Sequence, residues 1–331
     1  MRLRWAVLAL LVLSVVSLFV GVSEVSPGSL LASLTGSGAL DGSGGAATTD
    51  PVRVLLESRV PRTLAILLAG AAMAVAGLIM QLLTRNRFVE PSTAGTVEWA
   101  LLGLLVATLV APGAGLLAKM LVATAFALAG TVLFLRILRA LPLRSVLLVP
   151  LVGLMLGGIV GAVTTFVAYR VDLLQSLAAW TTGDFSGVLR GRYELLWVAL
   201  ALTVVAYLAA DRFTVAGMGD DFATNLGLDS RRVRGLGITI VSLVSATVVV
   251  TVGVIPFLGL VVPNVVSLLV GDNMRRTAPW VAVLGAGFVL VCDLLGRVVR
   301  YPYEVPVGVV VGVVGSLIFL HLLLRRGARV A

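Results

Sequence analysis

Residues 61–83 read PRTLAILLAGAAMAVAGLIMQLL and contain one charged side chain, that of Arg62. A helix that crosses the hydrocarbon core of a bilayer needs about 20 mostly apolar residues, and this stretch is long enough. The other stretches of similar character are 5–22, 93–111, 115–138, 145–168, 193–210, 234–254, 256–270, 278–299 and 305–324. We therefore predict an all-α polytopic membrane protein with about ten transmembrane helices.

Composition excludes the common soluble classes. The chain is 59% hydrophobic and 12% charged, whereas soluble domains are about 45–50% apolar and about 25% charged. The single cysteine, Cys292, excludes an intrachain disulfide and a cysteine metal cluster. The single histidine, His321, leaves little scope for a metal site or a Ser-His triad. We expect no catalytic, metal or cofactor-binding residue in this chain.

The basic residues predict the topology. Placing the N-terminus in the cytoplasm puts most of the 25 Lys and Arg residues on the cytoplasmic side, as the positive-inside rule requires. Both termini are then cytoplasmic and the protein is a multi-pass protein of the cytoplasmic membrane. Arg59, Arg62 and Arg297 fall on the outside, and we expect such arginines to have another role.

The chain divides into one transmembrane domain, 1–331, with two notable segments. Residues 35–49 are rich in Gly, Ser and Thr and predict a flexible outside linker. Residues 211–233 form the longest cytoplasmic segment, in which Asp220–Gly227 predicts a short helix that Gly227 would end. Such a helix is either a docking element for a soluble partner or a capped connection, and the residues alone leave both readings open.

Two further features lie within the apolar stretches. Small residues at four-residue spacing allow helices to approach closely. Such a spacing fits packing within the chain, and it also fits a subunit interface or a pathway wall. The residues with this spacing are Gly153, Gly157, Gly161, Gly308 and Gly312. Ionisable residues within a membrane are functional candidates by default. Glu98 is one, and Asp293 and Arg297 are spaced to pair on one helix face. These residues form no continuous proton relay.

The lone lysine excludes an ATP-binding P-loop. That motif ends in Gly-Lys followed by Ser or Thr, whereas Lys119 lies between Ala118 and Met120. If transport is driven by ATP, the ATPase must be another chain.

Several motifs, in order along nearly the whole chain, resemble one family. They are RVPRTLA at 59–65, GLIMQ at 77–81, RNRF at 85–88, EP at 90–91, NLG at 225–227, GVIPFLGLVVP at 253–263, Asp293 with Arg297, and EVPVG at 304–308. The resemblance is to the ten-span permeases of binding-protein-dependent ABC importers for iron–siderophores, haem and cobalamin (the FecCD-like permeases). Arg87 stands where that family usually has proline. Residues 90–99 are most similar to the branch that handles catecholate-type siderophores.

The resemblance implies a type II ABC importer permease architecture and a set of site residues. Docking of an extracytoplasmic binding protein is implied for Arg59, Arg62 and Arg297. Coupling to the ATPase is implied for Asp220, Ala223, Asn225, Leu226 and Gly227, and a cytoplasmic gate for Arg144 and Ser145. The glycines at 153, 157, 161, 308 and 312 would line the pathway or dimer interface between two permease subunits.

The function implied is import of a ferric-siderophore across the membrane by alternating access. The partners would be a second permease, identical or paralogous, two ATPase subunits that hold ATP and Mg²⁺, and a substrate-binding protein. Haem or cobalamin import is the alternative within the class. An ion- or proton-coupled secondary transporter is the alternative of another class, and an intramembrane enzyme is a poor third because of the missing acid/base or metal site.

Overall fold

The computed structural model describes residues 3–20, 51–140 and 148–327, and these ranges contain helices and no strand. The predicted linker 35–49 and the predicted gate residues Arg144 and Ser145 lie outside them. The helices are α1 (Leu3–Phe19), α2 (Val60–Thr84), α3 (Thr96–Val110), α4 (Leu116–Ala140), α5 (Leu148–Arg170), α6 (Leu174–Thr181), α7 (Leu196–Leu208), α8 (Ala210–Met218), α9 (Asp220–Asn225), α10 (Ser230–Val252), α11 (Leu258–Val270), α12 (Met274–Val298) and α13 (Val307–Gly327). A first turn, Pro51–Val54, and a π-helical turn, Leu55–Arg59, lead directly into α2.

Each predicted apolar stretch contains a helix, so the prediction of an all-α membrane protein is confirmed. Six helices of the described part are long and apolar enough to cross a membrane alone. The pair α7 and α8 is bent by 63° and makes a seventh span if counted together. The shorter apolar helices are α1, α3 and α11.

The segment 211–233 is mostly helical. Most of α8, all of α9 and the start of α10 occupy it. Helix α10 begins at Ser230 because the side chain of Asp229 accepts hydrogen bonds from the backbone N–H groups of Arg231 and Arg232.

Helix α2 is the centre of the bundle. The most apolar part of its span is 83% buried, and it packs against α7, α10, α11 and α12. Glycine makes two of these contacts possible: a Cβ atom at Gly77 would lie 2.2 Å from the carbonyl oxygen of Gly259, and one at Gly70 would lie 2.9 Å from the Cα of Ala286. The backbones of α11 and α12 therefore touch the backbone of α2.

The bundle has two ends, which we name by their contents. The arginine end holds the start of α2, the end of α12 and residues Arg59, Arg62 and Arg297. The short-helix end holds the end of α2, helices α8 and α9, and the start of α12. Helices α5 and α13 lie at the periphery, with only 28% and 22% of their apolar spans buried.

Candidate functional site

A buried ion-pair network lies at the arginine end. Arg62 donates from Nη2 to Asp293 Oδ1 at 2.7 Å and from Nη1 to Glu304 Oε2 at 2.6 Å. Arg297 pairs with the other oxygen of Asp293. The side chain of Asp293 has no exposed surface. One carboxylate therefore joins α2 to α12, and Glu304 extends the network to the segment before α13.

Arg297 and the neighbouring Arg59 hold the end of α1. Arg297 Nη1 donates to the carbonyl oxygens of Ser17 at 2.9 Å and Val20 at 2.8 Å. Arg59 Nη1 donates to the Val20 carbonyl at 2.7 Å. The last carbonyls of a helix have no partner within the helix, so these guanidinium groups satisfy them.

This network bears on the docking prediction. Arg59, Arg62 and Arg297 are only 6%, 7% and 2% exposed, and their bonds are to groups within the chain. The docking role stays a prediction, and the structure gives these arginines a structural role of their own.

The sequence identified only part of the network. The pairing of Asp293 with Arg297 is confirmed, because residues four apart share a helix face. Glu304, known from the sequence only as the first residue of the EVPVG motif, pairs with Arg62. Arg62 lies 231 residues from Asp293 in sequence, a separation that local patterns do not reveal.

The predicted coupling residues are brought together in and just after α9. Ala223 is fully buried, whereas Leu226 is 59% exposed, and the neighbouring Phe222, which the sequence analysis did not select, is 49% exposed. Gly227 has a φ of +77° and follows the C-cap residue Leu226, so the prediction that it ends the helix is confirmed. Phe222 and Leu226 are four residues apart, and this spacing is the sequence signal that marks the exposed pair. Asp220 begins the helix, and Asn225 is exposed at its end.

Polar contacts connect α8 and the segments around it at the short-helix end. Arg275 pairs with Asp211, joining α12 to α8. Arg87 pairs with Asp272 at 2.6 Å, and the Met274 N–H donates to Thr214 Oγ1 at 3.1 Å. Two of these contacts join α8 to the start of α12.

The segment between α2 and α3 is fastened to the start of α11. Glu90 Oε1 accepts from the Phe257 N–H at 3.1 Å, and Ser92 Oγ donates to the same oxygen at 2.7 Å. Asn264 Nδ2 donates to the carbonyl oxygen of Arg87 at 2.7 Å. These bonds give Glu90 of the EP motif a positioning role and hold the backbone of the RNRF motif at Arg87.

The predicted glycine stripes make contacts within the chain at several positions. A Cβ atom at Gly153 would lie 2.0 Å from the Thr93 carbonyl oxygen, and one at Gly308 would lie 2.6 Å from the Gly183 nitrogen. Gly157 lies against the carboxyl group of Glu98, whereas Gly161 has open space beside it. Gly312 is near only Pro256. Packing within the chain thus explains Gly153 and Gly308, and the interface role stays a prediction.

The described residues form six long apolar helices, one bent pair and three shorter apolar helices, and these define a multi-pass membrane protein. A family model described as the FecCD transport family matches residues 9–325. The chain is 48% identical over 328 residues to the petrobactin import system permease protein YclN of Bacillus subtilis (strain 168), covering 99% of both chains. This chain belongs to the FecCD transport family and is a transport subunit.

Other relatives are more distant. The chain is 43% identical to the ferric-anguibactin transport system permease protein FatD of Vibrio anguillarum, covering 82% of this chain and 86% of that one. It is 34% identical to the vitamin B12 import system permease protein BtuC of Yersinia enterocolitica, covering 81% and 80%.

Solved structures share the fold. A metal-chelate type ABC transporter in an inward-facing conformation matches with a TM-score of 0.79 over 98% of both chains at 23% identity. PsaBC from Streptococcus pneumoniae matches with a TM-score of 0.62 over 79% of this chain and 89% of that one, at 14% identity. The fold is that of an ABC transporter permease.

Proposed function

We propose that this chain is the permease subunit of an ATP-driven importer that carries a ferric-siderophore across the cytoplasmic membrane of a prokaryotic cell. The observation that carries the proposal is the 48% identity over 99% of both chains to a petrobactin permease. The lower identity of 34% to a vitamin B12 permease favours a siderophore over cobalamin.

The two ends of the bundle suit different partners. With both termini in the cytoplasm, α9 presents Phe222 and Leu226 to the cytoplasm, where two ATPase subunits would receive them. ATP and Mg²⁺ would be bound by those subunits, and this chain would need no cofactor. ATP-driven closure would move α9 and, through the Asp211–Arg275 pair, the start of α12, which alternates access to the pathway.

The arginine end would then face a substrate-binding protein. The side chain of Glu304 is 22% exposed, so the buried network reaches the surface there. Carboxylates of a docked protein would compete with Glu304 for Arg62, and complementary charges of this kind steer association and fix its register.

A second permease subunit, identical or paralogous, would cover the exposed apolar faces of α5 and α13. The pathway would run between the two subunits. The chelate would pass without covalent chemistry, so the chain needs positioning residues and no catalytic ones.

Reconstitution tests the proposal. The chain is placed in proteoliposomes with its co-expressed permease, ATPase and binding-protein partners, and uptake of a ⁵⁵Fe-labelled catecholate chelate is measured. We expect ATP-dependent uptake that a hydrolysis-dead ATPase abolishes and that excess cobalamin or haem does not compete.

Uptake that persists with the dead ATPase and stops with an uncoupler would instead indicate an ion-coupled secondary transporter. If cobalamin or haem competes with uptake, the substrate is not a siderophore, but the protein is still an ATP-driven importer.

A further inference from the structure

A cavity of about 230 Å³ lies between α3, α5, α6 and the segment that precedes α11. Its polar lining comes from Glu98, Thr164, Thr165 and Thr181, and its apolar lining includes Leu101. A single water needs only about 10–15 Å³ of such space, so the cavity has room for a larger group.

The carboxyl group of Glu98 is only partly paired in this cavity. Its Oε2 atom is buried and accepts no hydrogen bond, and no described residue forms an ion pair with it. Glu90, the other buried glutamate nearby, accepts bonds from Ser92 and the Phe257 N–H. Buried carboxyl oxygens are normally hydrogen-bonded or paired with a charge, so the unpartnered Oε2 of Glu98 is a position open to a donor group.

The chain makes room for this carboxyl group. A Cβ atom at Gly157 would lie 3.2 Å from Glu98 Cδ and 3.4 Å from Oε2, whereas one at Gly161 would meet nothing within 4 Å. Gly157 therefore accommodates the carboxyl group, and Gly161, one turn further, keeps the cavity open.

Two of the three threonine hydroxyl groups of the cavity, those of Thr164 and Thr181, indicate which kind of partner suits it. Thr164 Oγ1 donates its proton to the Val160 carbonyl oxygen at 2.8 Å. Thr181 Oγ1 lies within hydrogen-bond reach of the carbonyl oxygens of Leu177 at 3.1 Å and Ala178 at 3.0 Å. A hydroxyl has one proton, so both oxygens are left to act as acceptors. Acceptors beside a carboxylate match a group that carries N–H donors and positive charge, and they disfavour an anion.

We propose that this cavity is a subsite for a protonated alkylamine, in which Glu98 neutralises the ammonium group and the threonine oxygens accept its remaining protons. The apolar wall beside them would contact the alkyl chain. The amine would belong to the chelate that passes through the importer, so this assignment rests on the proposed importer function. The subsite would then favour chelates that bear an amine.

The transport test compares two ⁵⁵Fe-labelled catecholate chelates that differ only in one primary amine, free in one and acetylated in the other. Uptake of each is measured in the reconstituted importer with wild-type chain, Glu98→Gln and the control Glu57→Gln. Glu57 is exposed, with 53% of its side chain accessible, and lies outside the cavity.

Gln keeps the size of Glu98 and removes its charge. We expect Glu98→Gln to lower the ratio of amine to acetylated chelate uptake about tenfold, the effect of losing roughly 1.4 kcal/mol of differential binding, while Glu57→Gln leaves the ratio unchanged. An unchanged ratio in Glu98→Gln, or an equal fall for both chelates, overturns the proposal.

A second measurement needs no transport. A hydrophobic carbodiimide is reacted with the purified protein in nanodiscs, and modification at Glu98 is followed by mass spectrometry. Loss of the unmodified Glu98 peptide is the quantity measured, because a primary amine also converts the activated carboxyl to a butylamide with release of the urea. Butylammonium chloride should slow this loss severalfold relative to sodium chloride at equal ionic strength; equal rates would contradict an amine subsite.

The two measurements also separate the hypotheses. Wild-type protein that takes up neither chelate refutes the importer proposal, while the carbodiimide result still decides the subsite. Protection by butylammonium without any change in the uptake ratio overturns the assignment of the amine to the chelate.

Discussion

Asp293 shows how one residue can organise the arginine end. Its carboxylate has no exposed surface and lies between the guanidinium groups of Arg62 and Arg297. Removing one partner of a buried ion pair leaves an uncompensated charge, which costs about 3–5 kcal/mol. The network therefore holds α1, α2 and α12 together through a single acidic group.

Asp293→Asn should consequently lower the free energy of unfolding by about 3–5 kcal/mol. The measurement is the melting temperature in nanodiscs, which should fall clearly. The exposed control Glu57→Gln should shift it little, because exposed pairs contribute about 0–1 kcal/mol. Equal melting temperatures for the two variants would show that the network contributes little to stability.

Glu304 allows the docking role of Arg62 to be tested without breaking the buried core. Its side chain is partly exposed, and Glu304→Gln would weaken its hold on Arg62 while Asp293 still pairs with it. If Arg62 binds carboxylates of the binding protein, the affinity measured by biolayer interferometry should rise severalfold. The exposed Glu194→Gln, at the same end, serves as the control. An affinity that stays at the wild-type value would remove Arg62 from the docking surface.

At the scale of helices, close backbone contact sets the positions of α2, α11 and α12. Gly77 and Gly259 touch, as do Gly70 and Gly285. Interiors are close-packed and have little room for added atoms, so these contacts fix the helix separations.

Gly77→Ala should therefore disrupt packing severely, since the added Cβ would lie 2.2 Å from the Gly259 carbonyl oxygen. We expect a large loss of monodisperse protein in size-exclusion chromatography. Gly113→Ala is the matched control, because no atom of the described residues lies within 4 Å of a Cβ atom at that position. Similar yields for both variants would contradict the close contact between α2 and α11.

The exposed side chains in and just after α9 allow binding of the ATPase to be tested. Leu226 is 59% exposed, so Leu226→Ser should leave the melting temperature unchanged. If the ATPase covers this side chain, the substitution should weaken the permease–ATPase complex by about 2 kcal/mol, the threshold of an interface hot spot. The control is Val110→Ser, which is 81% exposed in α3. Co-purification yield measures the effect, and an unchanged yield would place the ATPase elsewhere.

At the scale of the whole molecule, the peripheral helices α5 and α13 carry several large exposed apolar side chains. Ile159 and Phe166 on α5 are 64% and 63% exposed, and Val313 and Leu317 on α13 are 57% and 62% exposed. Lipid can cover such surfaces, and a second permease subunit would cover them under the proposed function.

Cross-linking distinguishes coverage of these side chains by lipid from coverage by a second permease subunit. Cysteine at Ile159 or Val313 should form a permease dimer with a short bifunctional reagent in native membranes, whereas cysteine at Leu121, 55% exposed on α4, should not. The natural Cys292 is 1% exposed and should give no background. Dimer formation at Leu121 alone would move the subunit interface to α4.

The sequence by itself determined the class of molecule. Hydropathy is a property of neighbouring residues, so stretches such as 61–83 identified the helices, and Gly227 identified the end of α9. The motifs in order along the chain also led to the family. Even Asp293 and Arg297 could be paired, because helical spacing puts them on one face.

Tertiary structure alone decided which distant groups meet. Arg62 joins Asp293 and Glu304 across 231 and 242 residues, and these partners turn arginines expected at the surface into buried ion pairs. Gly157 meets Glu98, and the free Oε2 of Glu98 becomes visible only with its surroundings. The physical reason is that burial and pairing depend on how helices pack, and packing brings together residues whose separation along the chain carries no local signal.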